Sequence, residues 1–294
     1  MILSIASSGA ANLLLAGASL LAVVAYGVVA GHSAKSVLPQ VPEQAPTGLA
    51  QRLPGLLLLA WGLHLLALLL DFSGLGQAVP GTRFGFGPAL SATVWLVLAV
   101  YMLESRFLPL PSVRRILALI AAAAVLVAWV FPGESRPHAG SPWAPLHWLL
   151  GLASYGLFGV AVLHAALLNR AERMMRTLNK PGLGGSSEPA AQPVMPLLRL
   201  ERLTFQFVAA GVAALSAAIL LGWWFTPHWR WDHKNLLAVL GWLVLTGLLT
   251  GRRVFGWRGR RATRWLYFGA MLLLLSYVGS RFVLEVLVQK PVAY

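Results

Sequence analysis

Apolar runs long enough to cross a bilayer dominate the sequence, and they limit the possible folds more than any other feature. A spanning helix needs about 20 mostly apolar residues. Runs near that length lie at 10–30, 54–71, 88–103, 113–131, 145–168, 204–225, 235–250 and 265–288. The seventh is short, so tilt or the preceding loop is expected to complete it. Of the 294 residues, 58% are hydrophobic and only 11% charged, where a soluble domain carries about 25% charged residues. Most of the surface must therefore face lipid. The expected fold is an all-α polytopic membrane protein, a bundle of about eight transmembrane helices forming one transmembrane domain over residues 1–294. No basic residue precedes the first run, which argues for a retained helix rather than a cleaved signal peptide.

Charge then orients the bundle. The chain has 23 Lys and Arg against 9 Asp and Glu, a net charge of +14. In a soluble protein that balance would suggest nucleic acid. Here it is sorted by loop, as the cytoplasmic enrichment of Lys and Arg requires. Seventeen of the 23 basic residues fall in odd-numbered loops. That places these loops in the cytoplasm and both termini outside it, on the periplasmic side of a two-membrane cell, with the bilayer and not nucleic acid as partner. The loop at 169–203 contains the turn-rich run Pro181-Gly182-Leu183-Gly184-Gly185-Ser186-Ser187-Glu188-Pro189 and reads as a flexible cytoplasmic connector. Gly256-Trp257-Arg258-Gly259-Arg260-Arg261 is a basic cytoplasmic turn suited to fixing topology and touching anionic lipid. The absence of cysteine excludes disulfides, thiolate metal sites and thioether haem attachment. No nucleophile–base–acid set and no zinc-protease helix motif is visible, so hydrolysis has no support.

One stretch concentrates unusual residues. Gly222 to Lys234 holds Trp223, Trp224, Trp229 and Trp231, four of the 12 tryptophans, together with His228, His233 and Asp232. It lies in an external loop. Indoles collect at membrane surfaces as a belt, because the ring is apolar and its N–H seeks water. The same residues also suit a flat aromatic platform for haem beside axial imidazoles. His147 opens the fifth run on the same external face, and His233 opens the seventh. Each could simply border its helix, or the two could clamp one iron. Asp232 could cap the seventh helix or support a ligand. His64 lies midway along the second run, as either a hydrogen-bonded interhelical imidazole, a haem or metal ligand, or a proton carrier. His164 lies deeper in the fifth run and is not expected to be a ligand. Arg281 and Glu285 are four apart, a local ion pair or a propionate partner.

Trp229-x-Trp231-Asp232-x-Lys234, followed by an apolar span and Gly256-Trp257-Arg258-Gly259-Arg260-Arg261-Ala262, resembles the cytochrome c assembly family of the CcsA and CcmC type. Ser276-Tyr277-Val278-Gly279-Ser280-Arg281-Phe282-Val283-Leu284-Glu285 is similar to its YpjD branch. The resemblance implies haem held at the external tryptophan-rich loop between two histidines. Carried over, His147 and His233 would ligate the haem iron. Trp229, Trp231 and Asp232 would match the core of the motif, and Trp223 and Trp224 its opening. His64 would correspond to a membrane-embedded histidine that some members use. The implied location is the inner membrane of a bacterium, with other cytochrome assembly or membrane proteins as partners. The loop is shorter than the family pattern, and Asn235 stands where an acid often follows the motif lysine. These departures favour a haem carrier or chaperone over an enzyme. Two other readings remain open at this point: a membrane scaffold whose tryptophans form a simple belt, and a transporter. The transporter has less support, since no inverted repeat or broken-helix pair is evident.

Overall fold

The structure is a computed structural model, and it describes residues 2–35, 48–75, 82–105, 111–136, 142–178, 195–226 and 231–288. Among the described residues eight helices are long and apolar enough to cross a membrane: α1 (Ile2–Lys35), α2 (Gly48–Phe72), α3 (Phe86–Ser105), α4 (Pro111–Val130), α5 (Ala144–Leu178), α6 (Met195–Phe225), α7 (His233–Phe255) and α8, which starts at Gly259. Every expected span is present. The seventh, short by apolar count, runs the full His233–Phe255 because its helix continues through polar ends. Lys234 at one end and Arg252 and Arg253 at the other can reach the headgroups while the helix between them spans the core. The 169–203 segment begins and ends in helix, since α5 runs on to Leu178 and α6 starts at Met195. Residues 179–194 lie outside the described residues.

The chain forms two compact units, Met1–Pro142 with Tyr277–Tyr294, and Trp143–Ser276. In the first, α1 packs on α2 and α4, and α3 packs on α2 and α4. Lipid tails are as apolar as leucine, so helices in a bilayer associate through close packing of small residues. Accordingly α1 buries Ala18, Ala22 and Ala25, and α4 buries Ala118, Ala121 and Ala124, while Leu13, Leu14 and Leu21 are turned outward. Two short strands, β1 (Thr82–Phe84) and β2 (Glu134–Arg136), pair antiparallel. They bring the loops after α2 and α4 together at one end of this unit, as alternating spans require. Arg83 on β1 reaches back to Asp71 at the end of α2, with Nε 3.4 Å from Oδ1.

In the second unit, α5 packs on α6 and α8, and α7 on α6 and α8. Its core is Phe158, Ala161, Ala165, Val208, Leu215, Leu245, Leu248, Leu266 and Leu273. α7 stops at Gly256, whose φ of 64° is the left-handed conformation that closes a helix and suits glycine. The α7–α8 turn is also held from outside: Glu201 Oε1 on α6 lies 3.3 Å from Arg258 Nε and 3.8 Å from Arg252 Nη2. Past Leu274, α8 continues as π-helical turns at Leu275–Gly279 and Val283–Leu287, with one α-turn between them. The chain re-enters the first unit within the first of these turns.

Candidate functional site

The beginning of α5 carries His147. Its Nδ1 donates to the Ala218 carbonyl of α6 at 2.8 Å. A carbonyl can only accept, so the ring proton is on Nδ1 and the Nε2 lone pair is left for another group. Such an anchored imidazole, with one nitrogen fixed by a backbone carbonyl, is how proteins present the other nitrogen to a metal. The sequence allows this close approach because residue 222 is glycine. A Cβ at Gly222 would lie 2.9 Å from His147 Cε1 and 3.1 Å from Nδ1, inside van der Waals contact. The Phe225 ring stands edge-on to His147, centroids 5.6 Å apart. His147 is half-buried.

The end of α6 and the start of α7 complete this end of the second unit. Trp223, Trp224 and Trp231 are 63%, 79% and 69% exposed. Trp229, the other tryptophan of the stretch, lies outside the described residues, as does His228. Asp232 is the N-cap of α7: its Oδ1 accepts from the Asn235 N–H at 2.8 Å. Of the two roles the sequence allowed, this contact is the capping one. His233 is the first residue of α7 and is exposed. Its neighbour Lys234 is exposed as well. The Lys234 carbonyl in turn accepts from Ser276 Oγ of α8 at 2.8 Å.

His64 has a different environment. It is fully buried in the first unit, with Nδ1 3.2 Å from the Tyr26 hydroxyl and Nε2 2.8 Å from Ser91 Oγ. Both ring nitrogens are thus engaged across three helices, the hydrogen-bonded interhelical arrangement. The cavity beside it, bordered by Ser19, Asp71 and Ser91, has a volume of about 20 Å3, room for about one water and none for a porphyrin. His164 is buried with its ring edge-on to Phe207. Arg281 pairs with Glu285, Nη1 to Oε1 3.9 Å, and Glu285 Oε2 also accepts from the Phe86 N–H at 3.5 Å. The carboxylate therefore caps the start of α3, where a helix favours negative charge.

Several of these partners had no signal in the sequence. Ala218 contributes only a carbonyl, which every residue has. Tyr26 and Ser91 meet His64 through helix registers that spacing along one helix does not reveal. Gly222 carried a signal, since it opens the tryptophan stretch, but its service to His147 required knowing that α5 and α6 pack together.

The residues gathered at the end of the second unit fit haem better than a bare metal ion. Among the described residues there is no group of three or more His, Cys, Asp or Glu able to hold a metal, and a bare ion such as zinc takes three or four protein ligands. Haem brings its own equatorial nitrogens and asks the protein for one or two axial donors and an apolar surface. At this end His147 carries a nitrogen outside its bond to Ala218, His233 is exposed at the start of α7, and Trp223, Trp224 and Trp231 expose apolar surface.

Comparison with known proteins gives a consistent picture. The sequence profile of the family described as Cytochrome C assembly protein matches residues 52–288. The Inner membrane protein YpjD of Escherichia coli K12 is 30% identical over 207 residues, covering 68% of this chain and 74% of its own. An Azospirillum brasilense protein named for its position in the nifR3-like 5' region is 27% identical over 242 residues, 77% of this chain and 85% of its own. Cytochrome c biogenesis protein CcsA of Prochlorococcus marinus is 23% identical over 222 residues, 66% of this chain and 70% of its own. No solved structure matches.

Proposed function

The chain belongs to the cytochrome c assembly family of polytopic membrane proteins, and from that premise we propose that it holds haem at the external end of its second compact unit, as a carrier or chaperone in a bacterial inner membrane. His147 and His233 would hold the haem iron, and Trp223, Trp224, Trp229 and Trp231 would supply the apolar platform. Haem is the cargo, and passing it to another cytochrome assembly or membrane protein is the natural next step. The observation that carries this reading is the His147 anchor: Nδ1 tied to the Ala218 carbonyl at 2.8 Å, the ring seated over Gly222, and Nε2 left for iron. The names of the relatives support the same class of work, cytochrome c biogenesis in CcsA and an inner-membrane location in YpjD. The alternation of basic loops supports external termini and a cytoplasmic placement of the 169–203 segment.

The test is the absorption spectrum of the detergent-purified protein after haem-replete expression. A Soret band is expected, weakened in His147→Ala and in His233→Ala. Pigment-free protein with both histidines intact would sink the proposal. A second reading has two observations in its favour: Asp232 is used as a helix cap and the Trp223, Trp224 and Trp231 side chains are exposed, as in a plain interfacial belt on a scaffold protein. That reading expects Trp229→Phe and Trp231→Phe to change nothing and no pigment to be bound.

A further inference from the structure

The opposite end of the second unit, where α5 ends, α6 begins and α7 turns into α8, carries a surplus of arginine. Among the described residues its acids are Glu172 and Glu201. Glu201 is engaged by Arg252 and Arg258, and Glu172 lies 3.9 Å from Arg176. Arg260, Arg261 and Arg264 are exposed and have no ion pair among the described residues. Arg261 Cζ lies over the Trp257 ring, 4.4 Å from its centroid. A cation–π contact of this kind does not use up the guanidinium N–H groups, which can still donate to an oxyanion.

These three arginines share an open surface groove along one face of α8 with Trp265 and Phe268, all five side chains being exposed. The register explains the arrangement. Trp265 follows Arg261 by four, and Phe268 follows Arg264 by four, so each aromatic ring lies one helical turn farther along the same face. Along α8 the groove carries its cations first, at its mouth, and its exposed aromatic rings farther in, and it sits where α8 enters its apolar span, Gly259–Leu287. A soluble anion would use the mouth only. A phospholipid has both parts in this order, phosphate and then acyl chain. The mouth is also preformed: Gly256 closes α7, the Trp257 ring fills the space where a Cβ on Gly251 would lie 2.6 Å from it, and Glu201 holds the turn from α6.

We infer that this groove binds the headgroup of an anionic phospholipid, with Arg260, Arg261 and Arg264 on the phosphate and Trp265 and Phe268 against the upper acyl chain. The site is independent of the haem reading, being at the other end of the unit.

The experiment is native mass spectrometry of the full-length protein in detergent, titrated separately with phosphatidylglycerol and phosphatidylcholine. Phosphatidylglycerol should bind preferentially. Each basic residue near an anionic surface contributes about fivefold, so R260Q/R261Q/R264Q should weaken phosphatidylglycerol by on the order of 100-fold and leave phosphatidylcholine unchanged. A control triple, R199Q/R202Q/R253Q, removes the same charge from exposed positions at the same end and should keep most of the binding. Equal loss in both triples would mean diffuse attraction and would overturn the groove. Displacement of the lipid by millimolar inorganic phosphate would also overturn it, in favour of a soluble anion. The Arg→Lys triple should bind several-fold more weakly than the unsubstituted chain but better than the Gln triple, and equal unfolding temperatures across the set exclude misfolding as the cause.

Discussion

His64 and His147 are both membrane-protein histidines on long apolar helices, one in each compact unit. His64 is surrounded: two hydroxyls from two other helices take both of its nitrogens, and the space beside it holds about one water. Among the described residues His147 is held at one nitrogen only, by a backbone carbonyl, with its ring half-buried at a helix end. An imidazole that makes both of its hydrogen bonds inside the protein ties helices together, whereas one that makes a single bond through Nδ1 is aimed. Position in the sequence does not separate the two cases, because His64, in the middle of a span, looks at least as unusual as His147. What separates them is the count of partners.

The sharpest way to break this contrast is to remove each ring in turn. His147→Ala should lower haem retention, read as Soret absorbance per protein, by more than the 10- to 100-fold typical of losing an outer-shell support. His64→Leu should leave the Soret band in place and lower stability instead. It strands the buried Tyr26 and Ser91 hydroxyls, at a cost of about 1–3 kcal/mol. Bonds between membrane helices average only about 0.6 kcal/mol, so the lower end of that range is expected in a thermal unfolding assay. If His64→Leu bleaches the protein while His147→Ala does not, the assignment of the two histidines is reversed.

Gly222→Ala probes the anchor without touching the ligand. The new Cβ would meet the His147 ring at 2.9 Å, so the ring must move and the bond to Ala218 lengthen or break. Haem affinity should fall about tenfold, at the lower end of the outer-shell range. Helix α6 itself should not suffer, since alanine is the better helix former by about 1 kcal/mol. Loss of pigment with unchanged or raised unfolding temperature is therefore the expected signature. Loss of both would mean that Gly222 serves packing alone.

These sites differ in how far the sequence could reveal them. The eight spans were readable because bilayer thickness sets a length that apolar runs must meet, and the α7–α8 turn because Gly256-Trp257-Arg258-Gly259-Arg260-Arg261 sets a basic cluster between two apolar runs. The Arg281–Glu285 pair followed from four-residue spacing on one helix. Contacts between helices did not follow. Tyr26, His64 and Ser91 meet across three spans, and Asp71 meets Arg83 only because β1 folds back over the end of α2. The groove around Trp265 needed coordinates to show which arginines Glu201 and Glu172 leave without a counter-ion.

Asp232 offers the smallest and most discriminating test, because one residue stands in both readings of the tryptophan loop. As N-cap of α7 it accepts the Asn235 N–H, and asparagine caps a helix about as well as aspartate, whereas alanine loses about 1 kcal/mol. Asp232→Asn should therefore leave both stability and the Soret band nearly unchanged. Asp232→Ala should lower the unfolding temperature slightly and affect haem only through the fraying of His233, the residue that follows the cap. The comparison isolates charge from capping. If Asp232→Asn loses haem at constant stability, the carboxylate acts on the bound group itself, and the adjacency of Trp231 and Asp232 serves the site as well as the helix.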